Sequence, residues 1–154
     1  MKQFDLDYIR KNGLIIYEVI YGSKAYGTNR PDSDTDIRGI YVMPDSILKP
    51  IETVDGFQDE NYFFEINDGT QNVVFYEFRK FLYMLSHSKP NALEVLFVPN
   101  DCVIYKHPLM DELLSIRNEF VTKTCQYTFP SMVKKQLHKA SGLNKKQNWE
   151  KEDM

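Results

Sequence analysis

The sequence predicts an α+β fold with a mixed or antiparallel sheet and helices packed on one side. Three observations point to it. Apolar runs of strand length cover residues 14–21 and 37–42. Asn67-Asp68-Gly69 separates two further extended stretches, 62–66 and 71–76, which is a strong hairpin signal. From Glu77 the period changes, and Phe78, Phe81, Leu82 and Leu85 follow the i, i+3, i+4, i+7 spacing of an amphipathic helix. Strands gathered early and helices late suit helices layered on a sheet better than alternating βαβ units.

The elements follow in order. A short amphipathic helix is expected over residues 5–11, stopped by Asn12-Gly13. Residues 14–21 read as a buried strand, and 22–33 as a loop because Gly22, Gly27, Asn29 and Pro31 are turn formers. A second strand is expected over 34–42. Its face of Asp34, Asp36, Arg38, Ile40 and Val42 turns from charged to apolar, as if its start lines a cleft and its end enters the core. One helical turn is expected at 44–48. After the hairpin and the helix from Glu77, Pro90 opens a second helix over 91–97. A last short strand at 103–105, a helix over 108–119 and a basic helix over 131–143 complete the chain.

At 154 residues with 42% hydrophobic and 27% charged side chains, the chain is expected to form one globular core. Ten Tyr, ten Phe and one Trp argue against disorder. No apolar stretch approaches the ~20 residues of a membrane span, and the first residues lack the apolar centre of a signal peptide, so a cytoplasmic protein without membrane partners is expected. Cys102 and Cys125, the two cysteines, have no metal-ligand or disulfide-framework spacing. His87, His107 and His138 likewise share no spacing that suggests a site. The net charge of −3 is uneven: six lysines from Lys134 onward meet three carboxylates, Glu150, Glu152 and Asp153. A core over 1–128 and a basic helical tail over 129–154 are therefore expected. The tail reads as a solvated terminus or as a surface for phosphates.

Residues 22–42, GSKAYGTNRPDSDTDIRGIYV, carry the chemistry. Asp34 and Asp36 sit two apart at the head of the second strand, so both carboxylates enter one space roughly 7 Å apart. Converging carboxylates beside a Gly-Ser turn suit a divalent metal that holds a polyphosphate. Gly22 lets phosphates approach the backbone, and the Ser23 hydroxyl and nearby N–H groups can donate to them. Two Mg²⁺ ions about 3.5–4 Å apart are the expected cofactor, with Mn²⁺ an alternative. Lys24 and Arg30 lie in the intervening loop, where they can reach a triphosphate or remain in solvent.

This pattern resembles the DNA polymerase β nucleotidyltransferase superfamily. More closely, it resembles the YcgL-type predicted nucleotidyltransferases associated with RNA repair, which carry Gly-Ser-x-Ala-aromatic-Gly, then Ser-Asp-x-Asp, then an Ile-Tyr-Val strand. YEFRKFL from Tyr76 and SKPNALEVL from Ser88 resemble two further blocks of that family, so the likeness covers residues 14–98. The resemblance implies a nucleotidyltransferase-type sheet, a nucleoside triphosphate on Gly22 and Ser23, metal on Asp34 and Asp36, and RNA or tRNA as the acceptor hydroxyl. It also implies a third carboxylate five residues before Glu77, where this chain has Asn72. An amide oxygen can ligate Mg²⁺ but brings no negative charge. Glu65 and Asp68 on the hairpin are the candidate substitutes. Family members generally continue into further helices, so this chain is expected to be a fragment, one piece of an assembly or a decayed enzyme. The competing functions are a minimal nucleotidyltransferase that adenylylates protein and a non-catalytic nucleotide- or RNA-binding module. Neither the base nor the oligomeric state is encoded legibly.

Several neighbours have two readings each. Arg38 shares the face of Asp36 and is expected to pair with it, or else to meet nucleotide. Tyr26 stacks on a base or packs under the loop. Glu77 caps the positive end of its helix rather than binding metal. Of Arg79 and Lys80, at most one faces the cleft. Glu94 is a buried paired carboxylate or a helix-edge residue.

Overall fold

The computed structural model describes residues 5–46, 65–67 and 72–142. The expected turn at 44–48, the first hairpin strand, the hairpin turn with Asp68, and the tail beyond 142 lie partly or wholly outside these residues. The described elements are α1 (Leu6–Lys11), β1 (Ile15–Tyr21), α2 (Ser23–Tyr26), β2 (Asp36–Tyr41), β3 (Glu65–Asn67), β4 (Val73–Glu77), α3 (Phe78–Ser86), α4 (Pro90–Leu96), β5 (Val103–Lys106), α5 (Leu109–Ser115) and α6 (Cys125–Ala140). Short 3-10 turns at Asn100–Cys102 and Arg117–Phe120 join the later elements. The fold is α+β.

The sheet has five strands in the order β3-β4-β2-β1-β5. It is mixed: β2 and β4 run parallel, and the other described pairs run antiparallel. The parallel pair requires a crossover between β2 and β4, and the chain supplies it through the long segment that also contributes edge strand β3. β1 and β2 occupy the interior, so Val19 and Ile40 are fully buried.

The two sheet faces have different covers. On one, Val19, Ile40, Val74 and Tyr76 pack with Phe81 and Leu85 of α3, Leu93 and Leu96 of α4, and Met110 and Leu113 of α5. Cys125 and Phe129 of α6 touch the margin of this cluster. On the other face, Tyr41, Val73 and Phe75 pack against Ile9 of α1. α1 therefore covers the face opposite the main helical layer. Its cap follows the sequence: the Asp5 side chain accepts from Tyr8 N at 2.8 Å.

Burial leaves two charges to neutralise. Glu18, 7% exposed on β1, receives the Arg10 guanidinium at 2.7 Å, and the same guanidinium lies over the Phe75 ring at 5.5 Å. Glu77, 1% exposed, ends β4 and caps α3, accepting from Arg79 N at 2.9 Å and Lys80 N at 3.4 Å. The capping role expected for Glu77 is thus the observed one. Gly39 has a steric reason: a Cβ there would lie 2.7 Å from Phe75 Cζ and closer to two other ring carbons.

Two predictions follow from this packing. Gly39→Ala should destabilise the fold by about 1–3 kcal/mol through overpacking. Phe75→Leu should recover part of that loss in a double-mutant cycle read by urea denaturation, and purely additive costs would contradict the contact. Glu77 adds a pH dependence. Desolvation raises its carboxyl from the ordinary 4.5, with Arg79 and the helix N–H groups opposing. The unfolded carboxyl then ionises first, so the group's contribution is fully present below pH 4.5 and lost as pH rises through the folded value. Wild-type stability minus that of Glu77→Gln should therefore fall as pH rises from 4.5, and a flat difference would refute it.

Candidate functional site

The register of β1 on β2 builds the site. Tyr21, the last residue of β1, pairs with Asp36, the first residue of β2. The next residue, Gly22, adopts φ 68° and ψ −143°, and a Cβ there would overlap Asp36 Oδ2 and stand 3.1 Å from Cγ. Glycine is required twice, by the left-handed backbone and by the carboxylate against it. From Gly22 the chain enters the single turn of α2, a helix within what the sequence suggests is a plain loop. Tyr26 N bonds to Gly22 O at 3.0 Å and Thr28 N to Ser23 O at 2.9 Å, and Gly27 closes the turn at φ 70°. No side chain caps the start of α2, so its first N–H groups face away from any intrahelical acceptor.

Asp34 is placed differently from the expectation. β2 begins at Asp36, and Asp34 is exposed on its lead-in, so the two carboxylates do not share a regular strand face. The reason is pairing. β1 turns into α2 after Tyr21, and β4 begins opposite Ile37, so residues 34 and 35 have no ladder on either side. Lys24 is half-buried and its ammonium donates to Thr35 Oγ1, which ties α2 to the residue between the two aspartates. Arg30 is exposed in a turn closed by Ser33 N to Arg30 O at 3.0 Å and Arg30 N to Ser33 Oγ at 2.7 Å.

Asn72 stands where the third ligand is expected. β2 and β4 pair Ile37 with Val73, and the register extended by one residue sets Asn72 beside Asp36. Its carbonyl accepts from Ile37 N at 3.3 Å and from the Arg38 guanidinium. Its φ of 49° lies in the left-handed region, where asparagine is among the better-tolerated residues. Glu65 pairs with Tyr76, four residues along β4 from Asn72 and so about 13 Å away. Among the described residues, no group of three or more His, Cys, Asp or Glu gathers into a metal cluster.

Arg38 does not pair with Asp36 as expected. Its guanidinium donates to Ile37 O at 2.9 Å and to Asn72 O, and lies 4.8 Å from the centre of the Tyr21 ring. It secures the β2–β4 junction, and among the described residues no cation pairs with the Asp36 carboxylate. Tyr21 in turn donates its hydroxyl to Glu94 Oε2 of α4. Burial and Glu94 raise the Tyr21 hydroxyl well above its ordinary value, so it remains a donor. Tyr26 sets its ring edge-on to Tyr21 at 6.3 Å. Tyr26 is 56% exposed, and partial burial and Glu94 push its hydroxyl up to about 12. Glu94 is therefore a paired carboxylate. It is also the link from the helical layer to the Gly22 turn, and its one sequence signal is a carboxylate in an apolar helix. Lys80 lies 5.9 Å from the Tyr76 ring and Arg79 contacts Glu77 at 3.3 Å.

A family model described as RNA repair pathway DNA polymerase beta family matches residues 3–152. The chain belongs to this family. The RNA repair polymerase β family is a nucleotidyltransferase family, and its match extends through the basic helix that the resemblance of residues 14–98 leaves out. α6 begins at Cys125 and runs across the boundary expected at 128/129. No match was found among curated proteins or among solved structures. Among the described residues, no helix is long and apolar enough to cross a membrane.

The geometry predicts that Gly22→Ala destabilises the fold, since the Cβ would strain the turn and displace Asp36. Urea denaturation checks this, and stability within about 0.5 kcal/mol of wild type would contradict it.

Proposed function

We propose that this chain transfers a nucleoside monophosphate from a nucleoside triphosphate to a hydroxyl of RNA, in a Mg²⁺-dependent reaction at the Gly22–Asp36 junction. The observation that carries the reading is the backbone of Gly22 set directly against the Asp36 carboxylate, within a chain of the RNA repair polymerase β family. A surface that presents uncapped N–H groups on one side and a carboxylate on the other suits a metal-bound phosphate.

The donor set fits Mg²⁺. Every candidate ligand is an oxygen: Asp34, Asp36 and the amide oxygen of Asn72. Mg²⁺ takes one or two carboxylates and completes its shell with phosphate oxygens and water, so a site with two aspartates is sufficient. Two ions are expected, with Mn²⁺ an alternative, and when bound they neutralise the phosphates and favour ionisation of the acceptor hydroxyl.

The protein's own groups then have distinct tasks. Gly22 admits the triphosphate to the backbone, while Ser23 donates through its hydroxyl and N–H. Lys24, positioned over Thr35, and Arg30 supply positive charge to the departing pyrophosphate. The acceptor oxygen bonds to the α-phosphorus as the bond to the bridging oxygen of pyrophosphate breaks, in line. Tyr21 and Glu94 act as positioning residues that hold the Gly22 turn to α4.

Asn72 favours one competing reading, a nucleotide- or RNA-binding module with little turnover, because the neighbouring strand adds no negative charge beside Asp36.

Labelled ATP, CTP, GTP and UTP, each incubated with the chain, Mg²⁺ and bulk RNA, separate these readings. Label is expected in RNA, and Asp36→Asn should reduce transfer by about 10²–10³-fold, the scale of losing one transition-state charge contact. Label on protein instead of RNA would favour protein adenylylation. Nucleotide binding without transfer, unchanged in Asp34→Ala plus Asp36→Ala, would refute both enzymatic readings. Asn72→Asp should raise transfer if the amide limits turnover, and an already rapid wild type unaffected by this change would show that it does not.

A further inference from the structure

We infer that the groove between α6 and the α3–α4 corner binds the single-stranded end of the RNA acceptor, a reading that rests on the transfer proposed above. The groove encloses about 760 Å³. Lys89, at the start of α4, faces Lys135 and Lys139 of α6 across it, and none of the described residues lining it is acidic. Lys135 and Lys139 are four apart and so share a helix face. The polarity stands out against a chain of net charge −3. Helices α3, α4 and α6 contain a single carboxylate, Glu94, and Tyr21 already occupies it. A concave, locally cationic surface on an acidic protein fits a polyanion.

Two further observations choose among polyanions. Tyr127 lines the groove with its side chain 70% exposed, which leaves a ring face for an unpaired base. The volume is that of a small-molecule site, so it admits a few nucleotides of one strand and excludes a duplex.

The groove also leads to the chemistry. Asn91 lines its end on α4, and Glu94, one helical turn further, accepts the Tyr21 hydroxyl. Tyr21 precedes Gly22 and pairs with Asp36. A strand held by Lys135 and Lys139 is thereby led along α4 toward the metal-binding carboxylates.

Fluorescence anisotropy of a labelled single-stranded RNA with a free 3′ hydroxyl, mixed with the full chain without triphosphate, tests the groove. Lys135→Ala plus Lys139→Ala should weaken binding at least about tenfold. The same pair should reduce the slope of log affinity against log salt by about 1.4, the release expected of two single-strand phosphate contacts. Lys123→Ala plus Lys134→Ala removes equal charge from exposed positions outside the groove and should cost less than about threefold. Tyr127→Ala should weaken the single strand about tenfold and leave the salt slope unchanged. Circular dichroism confirms that each variant is folded. Equal losses from the two lysine pairs, duplex RNA binding as tightly as the single strand, or binding to phosphatidylserine vesicles in place of RNA would each overturn the groove. The two proposals fail separately. Unchanged KM for RNA in the groove variants, with transfer intact, rejects the groove alone; groove-dependent RNA binding without any transfer rejects the reaction alone.

Discussion

Tyr21 faces Asp36 at the open end of the β1–β2 ladder, and this register puts Gly22 where any side chain would strike the Asp36 carboxylate. Much else depends on that contact. The left-handed backbone at Gly22 turns the chain off the sheet into α2, and the turn leaves N–H groups without partners beside an unpaired carboxylate. Lys24 then reaches Thr35, which fixes the lead-in to β2. A slip of one residue in the ladder would move Asp36 to the opposite face and separate all of these groups. The central strands, fully buried at Val19 and Ile40, guard against that slip because it would expose their apolar side chains.

Three carboxylates near the sheet are each satisfied by a different means, and the site gains from the pattern. Glu18 has a guanidinium at 2.7 Å; Glu77 has helix N–H donors and Arg79; Glu94 has the Tyr21 hydroxyl. Removing any one partner would leave a desolvated acceptor, a larger penalty than the net gain of the bond itself. Asp36 is treated otherwise. Arg38, the cation expected to pair with it, is held by two carbonyls and the Tyr21 ring. A carboxylate kept free of protein cations is available to an external one, and this separates Asp36 from the structural acids.

Periodicity made the secondary structure largely legible. The i, i+3, i+4, i+7 pattern from Phe78 marks α3, the apolar run before Gly22 marks β1, and Pro90 marks the start of α4. Glu77 was readable as a cap because an acid preceded an amphipathic run. What could not be read depended on partners distant in sequence. β2 starts at Asp36 rather than Asp34 because neighbouring strands stop there, a fact absent from the local pattern. Arg38 lies on the expected face, yet carbonyl acceptors from β4 outcompete Asp36. The α2 turn follows from one glycine's dihedral, and no periodic signal exists in four residues. The α6 start at Cys125 was hidden by Pro130, which reads as a helix boundary but lies inside the helix.

Asn72 joins the fold to the chemistry. Its backbone is left-handed, and its carbonyl, rather than its side chain, supports the β2–β4 junction through Ile37 and Arg38. The backbone role is open to either asparagine or aspartate, since both tolerate this region. Junction geometry therefore does not require the amide. What the amide changes is charge: beside Asp36 it brings none, where an aspartate would add one negative unit. In the transfer proposed above, a site with fewer carboxylates opposes an incoming triphosphate less but holds a metal less firmly before the nucleotide arrives. Metal and nucleotide would then bind as a unit, with phosphate oxygens completing the shell that the protein leaves open. The proposed transfer therefore relies on the Gly22 turn more than on its acids, and Gly22, constrained by its backbone and by its contact with Asp36, has the geometry to match.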